Sequence, residues 1–191
     1  MNAGSRDCHL TAIHDHYCEI FGGHDHAESQ WKLGPVPALA PWFRVLRFAP
    51  GPRTALWTYL SMGASLLRDP ADSRLEFLLS IDRKDERGTE LVTMVAYYHR
   101  NQGLGVGHTL PIGEPWMEGS SCDHLLISKP YLLGSELEIC NLADMHLHVL
   151  WLLPITKREC DFKVEAGLEV LEQRFEQAQL QYWDVLRGSV V

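Results

Sequence analysis

Ten histidines stand in a chain of 191 residues, and four of them form a repeated motif, His14-Asp15-His16 and His24-Asp25-His26. Cys8, His9 and Cys18 lie in the same stretch. Zinc takes Cys, His and Asp ligands in a tetrahedral shell, so the residue types suit a metal. The spacing suits it less. At about 100° per residue, His14 and His16 on a helix point about 200° apart and cannot share one ion. A polar helix face followed by a flexible loop accounts for the pattern, and we expect no bound metal.

His146 and His148 are the second constellation, with Asp144 two residues earlier. On a strand, positions i and i+2 share a face, so both rings point the same way. A further ligand is needed, and only His99, His108 and His124 offer themselves. Simple alternation explains the same residues: Met145, Leu147, Val149 and Trp151 face the core and the histidines the wetter side. Ser120, Ser121, Cys122, Asp123 and His124 cluster in sequence. Catalytic triads are spatial arrangements, however, and no Gly-x-Ser-x-Gly elbow occurs. Gly103-Leu-Gly105-Val-Gly107 has its helix before the glycines and its strand after, the reverse of a nucleotide loop. We therefore expect no catalytic residues and no cofactor. The glycines are expected to allow a helix exit and a tight turn.

These residues are carried by elements of mixed type. Residues 5–21 read as a helix, with Leu10, Ile13, Tyr17 and Ile20 on one stripe. Residues 24–41, with three prolines, read as a loop. Strand-like runs follow at Trp42 to Phe48, Thr54 to Met62 and Leu75 to Ile81, spaced as an antiparallel meander. A helix is expected over 89–101, capped by Thr89, stopped by Gly103, with Leu91, Val95 and Tyr98 on one face. A short extended piece at His108 to Leu110 precedes strands at Leu125 to Ser128, Glu136 to Asn141 and Met145 to Leu153, the last ended by Pro154. Thr156 and Glu159 have the form of a capping box opening a short helical turn. Residues 166–186 read as a long C-terminal helix, with Leu168, Leu171, Phe175, Ala178, Tyr182 and Val185 on its stripe and Glu169, Glu172, Glu176 and Gln179 off it. The order predicts an α+β fold: one twisted, mainly antiparallel or mixed sheet with packed helices. A single domain over 1–191 is expected, its core about 7–187.

Composition excludes several classes. Seventeen Lys and Arg against 25 Asp and Glu leave a net charge of −8, which argues against general nucleic-acid or anionic-membrane binding. No apolar run approaches the roughly 20 residues of a membrane-spanning helix. The first residues have neither the basic nor the apolar region of a signal peptide. Five widely spaced cysteines without a CxxC pair suit reduced thiols in a cytoplasm, most of them buried. Most of the six tryptophans are expected in the core. Charge is segregated: residues 1–30 hold one base, Arg6, against Asp7, Asp15, Glu19, Asp25 and Glu28, while residues 42–68 hold Arg44, Arg47, Arg53 and Arg68 and no acid. Such segregation can steer a charged protein partner.

Several segments together resemble one family. TAIHDHYCEIFG is similar to the opening helix of the suppressor of fused-like domains, WTYLSMGAS to a strand ending in Thr-Tyr, Gly and Ser, and RLEFLLSI to the following strand with its Glu. LVTMVAYYHRNQGLGVGHTLPIG resembles the family's central helix and Gly-His strand, SCDHLLISKPYLL its Leu-Leu…Pro-Tyr segment, and HVLWLLPITKRECDFKVEAGLEVLEQRF its last strand, Pro-Ile-Thr turn and C-terminal helix. The resemblance runs from about Leu10 to Phe175 and is to the single-domain bacterial type; the second domain of the animal protein has no counterpart. It implies binding rather than catalysis: a protein-interaction module, of the kind that as an immunity protein neutralises a secreted toxin. A protein partner follows from it, while the charge and the lack of a long apolar run predict no nucleic acid and no membrane. A metal-dependent hydrolase using the histidines and a scaffold subunit of a larger complex are the alternatives.

Overall fold

The computed structural model describes residues 3–67, 73–142 and 146–191. The elements are α1 (Ala3–Ile20), β1 (His26–Ser29), α2 (Val36–Leu39), β2 (Arg44–Phe48), β3 (Trp57–Met62), β4 (Leu75–Ile81), α3 (Glu86–Gln102), β5 (Thr109–Pro111), β6 (Cys122–Ser128), α4 (Ser135–Glu138), β7 (Ile139–Asn141), β8 (His146–Thr156), α5 (Lys157–Ala166) and α6 (Leu168–Gln177). The strands form one mixed sheet in the order β1-β2-β3-β4-β8-β6-β5, with β7 also paired to β8. The α+β class with a single, mainly antiparallel sheet is therefore as the sequence predicts.

The chain divides into two compact units, 1–104 with 129–151, and 105–128 with 152–191. In the first unit β1 to β4 form the antiparallel meander, and β4 then pairs in parallel with the first half of β8, Leu75 opposite His148 and Leu78 opposite Trp151. With a neighbour on each side, β4 is buried at all seven positions, so its apolar run is nearly continuous, as in strands covered on both faces. Glu76 is the exception. Ile13 and Tyr17 from α1, Phe21 just after it, and Leu91, Val92, Val95 and Ala96 from α3 are likewise buried. In the second unit β5 pairs antiparallel with β6, and α5 packs on both β6 and α6.

Several boundaries differ from expectation, each for a local reason. The 24–41 loop contains β1 and α2. β1, His-Ala-Glu-Ser, lies at the sheet edge and buries none of its side chains, so it carries no apolar alternation to read. α3 begins a turn early because Asp85, not Thr89, is its cap: the Asp85 carboxylate accepts from the Arg87 N–H at 2.9 Å. Gly103 ends it as expected, with φ 65° and its N–H on the His99 carbonyl. Tyr98 is exposed, and the buried face runs through Leu91, Val92, Val95, Ala96 and His99.

Residues 136–138, read as strand, belong to the turn α4 ahead of a three-residue strand. Pro154 does not end β8, which continues to Thr156; the fixed φ of proline fits extended backbone, and its carbonyl accepts from Arg187. The capping box at Thr156 and Glu159 is present, but it opens a ten-residue helix. The C-terminal helix is correspondingly shorter than the 166–186 stripe. Gly167, at φ 94°, separates it from α5, and Gln179, at φ 47°, closes it. The Gln179 N–H bonds the Glu176 carbonyl and the Leu180 N–H the Phe175 carbonyl, the Schellman pattern of a helix end. Leu171, Phe175 and Val185 of the stripe are buried, whereas Ala178 is exposed. Glu172, expected outside the stripe, is half-buried beside Ser128.

Candidate functional site

In the first unit an open groove of about 440 Å³ is lined by Asp7, Leu10, Thr11 and His14 of α1, Glu28 of β1, Trp42, Arg44 of β2 and Met62 of β3. The helical period brings Asp7, Leu10, Thr11 and His14 to one side of α1. The segregated charges of the sequence meet here: Asp7 and Glu28 face the same space as Arg44. Arg44 is held at one wall by donating from Nη1 to the carbonyls of Pro41 and Phe43. Trp42 lies under the guanidinium of Arg6, 5.5 Å from the ring centroid. Arg47 and Arg53 are paired elsewhere, with Glu86 and Glu136, and the Arg53 guanidinium holds the Glu136 carboxyl below its ordinary value. Arg68 lies outside the described residues.

Beside this groove the structure brings together His14, Cys18 and His26. It does not bring together the pairs that the repeated motif suggests. His16 is half-buried, and burial lowers its pKa against the opposing influence of the Glu19 charge and the Glu136 backbone. His24 is buried with both ring nitrogens engaged: Nδ1–H donates to the Ala49 carbonyl at 2.7 Å, and Nε2 accepts the Arg53 N–H at 3.0 Å. It closes the 24–53 loops and is no ligand. Cys8 is exposed and His9 buried. Burial, aided by the charge of Asp15, pushes the Cys18 thiol up. The signal for the trio was present in the four-residue step from His14 to Cys18, one helical turn. The contribution of His26 depends on how the chain returns after Phe21, which no local pattern states.

The other constellations are dispersed. His146 and His148 are exposed on one face of β8 while Leu147 and Val149 are buried, the alternation expected; His146 hydrogen bonds Asn141 at 2.6 Å. Asp144 and Met145 lie outside the described residues. His99 is buried against Phe77 and accepts the Leu104 N–H. His108 is exposed, and His124 pairs with Asp123. Ser120 accepts from the Trp116 indole and the Cys122 N–H, and Ser121 donates to the Arg187 carbonyl. No nucleophile–base pair results from that cluster. Gly107 turns at φ 84° with its N–H on the Ile127 carbonyl. Of the cysteines only Cys122 and Cys140 are buried, and of the tryptophans only Trp116 and Trp151, fewer of each than expected. Trp42 is kept half-exposed by its place at the groove.

Glu76 is a functional-looking residue with a structural task. Its carboxylate, fully buried on β4, accepts from the backbone N–H groups of Gly63, Ala64 and Ser65 and from the hydroxyls of Ser61 and Ser65. It thereby fixes the turn that follows β3 and ends at the groove wall. Burial raises its pKa, and the hydroxyls and amides oppose that rise.

The family profile of suppressor of fused protein matches residues 41–188. The chain belongs to the suppressor of fused protein family. A suppressor of fused homologue from Neisseria gonorrhoeae is 30% identical, covers 96% of this chain with 97% of its own, and superposes with a TM-score of 0.82. The structure of the Sufu–Fu complex shares the fold at 14% identity, with a TM-score of 0.69 over 95% of this chain and 92% of that one. Drosophila Suppressor of Fused shares it at 15% identity and a TM-score of 0.61, over 95% of this chain and 51% of its own. No curated protein matches. The segment preceding residue 41, which supplies α1 and β1 and hence most of the groove, lies outside the matched family region. Among the described residues no helix is long and apolar enough to cross a membrane.

Proposed function

We propose that this suppressor of fused family member is a non-catalytic protein-binding module of the cytoplasm, and that it acts as an immunity-type protein that binds and neutralises a toxin. The observation that carries the reading is the groove: Asp7 and Glu28 opposite Arg44, with Trp42 at the edge, offer both charge signs and an aromatic anchor. That is the chemistry by which protein surfaces select partners. Tyr131 and Leu132, 63% and 66% exposed, add apolar surface in the same unit. Membership of a family in which Sufu is seen in complex with Fu supports binding as the mode of action.

Co-expression tests it. The product of the adjacent gene, tested as the toxin, is produced in cells with and without the chain. Protection, together with a complex recovered from the lysate, is the expected result. A metal-dependent hydrolase is the second reading, favoured by the His14, Cys18 and His26 grouping. Absence of any complex, with turnover of a small substrate by the chain alone, would replace the first reading with the second.

A further inference from the structure

His14 and Cys18 stand one turn apart on α1, and the chain returns after Phe21 to place His26, the first residue of β1, against them. Cys18 Sγ lies 3.6 Å from Nε2 of His14 and 3.8 Å from Nε2 of His26. One ligand atom from each of the three residues falls within 4.8 Å of the others. A tetrahedral zinc ion, with bonds of about 2.3 Å to sulfur and about 2.0–2.1 Å to nitrogen, holds its sulfur and nitrogen ligands about 3.6 Å apart. The two sulfur–nitrogen separations observed, 3.6 and 3.8 Å, are close to two edges of such a tetrahedron.

The surroundings fit the same chemistry. Asp15 Oδ1 lies 3.2 Å from Nδ1 of His14. A carboxylate there accepts a hydrogen bond from Nδ1–H and so favours the tautomer in which Nε2, the nitrogen nearer Cys18, keeps its lone pair free. This carboxylate–histidine arrangement is the usual support of a metal-bound imidazole. The His26 ring is held against Phe48, centroid to centroid 5.4 Å, and meets the His14 ring edge-on at 5.7 Å. Two imidazoles and a thiolate suit a borderline-soft ion such as zinc better than calcium or magnesium. Glu28 shares a strand face with His26, since the two are separated by one residue, and it lines the groove with His14.

We propose that His14, Cys18 and His26 form a zinc site with three protein ligands, its fourth position completed from the groove side by solvent in the isolated chain. The expectation of no metal rested on His14 and His16; the site uses a different pair and a third residue from β1. It ties the end of α1 to the edge strand and does not depend on the protein-binding reading.

Cobalt(II) is the probe. Untagged full-length chain is stripped with a chelator, titrated with Co²⁺, and then challenged with Zn²⁺. One metal per chain is expected, with the visible bands of tetrahedral cobalt and a near-ultraviolet sulfur-to-cobalt charge-transfer band that zinc abolishes. Cys18→Ser removes the charge-transfer band. His26→Ala loses stoichiometric binding. Asp15→Asn, which spares all three ligands, weakens binding about 10–100-fold. His16→Ala and His146→Ala bind as the parent does. Circular dichroism reports whether each variant is folded, and if Cys18→Ser is not, the parent spectrum with Asp15→Asn and His26→Ala decides. A parent chain without the charge-transfer band, or stoichiometric binding that survives both Cys18→Ser and His26→Ala, overturns the site.

Discussion

Arg187 grips Glu159 with both ends of its guanidinium, Nη1 on one carboxylate oxygen at 2.8 Å and Nη2 on the other at 2.9 Å. Both residues are buried, at 7% and 0% exposure. The same carboxylate closes the capping box at the start of α5 by accepting the Thr156 N–H, and it also accepts the Val190 N–H. One glutamate thus fastens a helix start to the C-terminal segment of the second unit. Removing one partner of a buried pair strands a charge, which costs about 3–5 kcal/mol. Arg187→Met should destabilise by that amount. Urea melts of the variant and of a surface control, Arg158→Met, measure it.

Glu76 gives a prediction with a pH sign. Burial raises its pKa in the folded protein above the unfolded value, about 4.3. The folded state therefore holds the proton more tightly, and stability from this group is fully present below the unfolded value and lost as pH rises through the folded one. Glu76→Gln, which turns an amide toward the Gly63 to Ser65 N–H groups, should cost about 1–3 kcal/mol in mild acid. The gap to the parent should narrow as pH rises. Denaturant melts of both across that range measure it; a gap that widens contradicts the assignment.

The register of α6 is tested by Phe175 and Val170. Phe175 is buried and Val170 exposed. Phe175→Ala should cost about 3–5 kcal/mol, and Val170→Ala less than about 0.5 kcal/mol. Equal losses in denaturant melts would place the helix in another register.

Gly63 joins fold to groove. It sits at φ 108°, and a Cβ there would lie 2.7 Å from the Trp42 ring. Gly63→Ala should therefore destabilise by more than about 1 kcal/mol and shift Trp42, which a melt and the tryptophan fluorescence maximum would report together.

What was legible in the sequence follows from what is local. The β2 to β4 meander, Gly103 as a helix stop and the Thr156–Glu159 box depend on neighbours within a few residues, and they stand in the structure as read. β1 was not legible because an exposed edge strand of four residues has no buried side to pattern. The end of α6 at Gln179 was not legible because a favourable stripe continues past it, and only the left-handed residue stops the helix. Histidine types and spacing drew attention to the 14–26 segment. The trio of His14, Cys18 and His26 mixes a helical step, His14 to Cys18, with a tertiary return to His26, and spacing along the chain reports only the first.

Binding to a protein partner through the groove is the central claim, and a binding measurement on purified components tests it most directly. Association of this chain with the product of the adjacent gene, tested as the proposed toxin partner, is followed by biolayer interferometry over a range of salt, with Arg44→Glu as the variant. A 1:1 complex is predicted, with an association rate that falls as salt screens the groove charges beyond about 8 Å and is reduced further in Arg44→Glu. No association at any salt, or association unchanged by both salt and Arg44→Glu, would contradict the account.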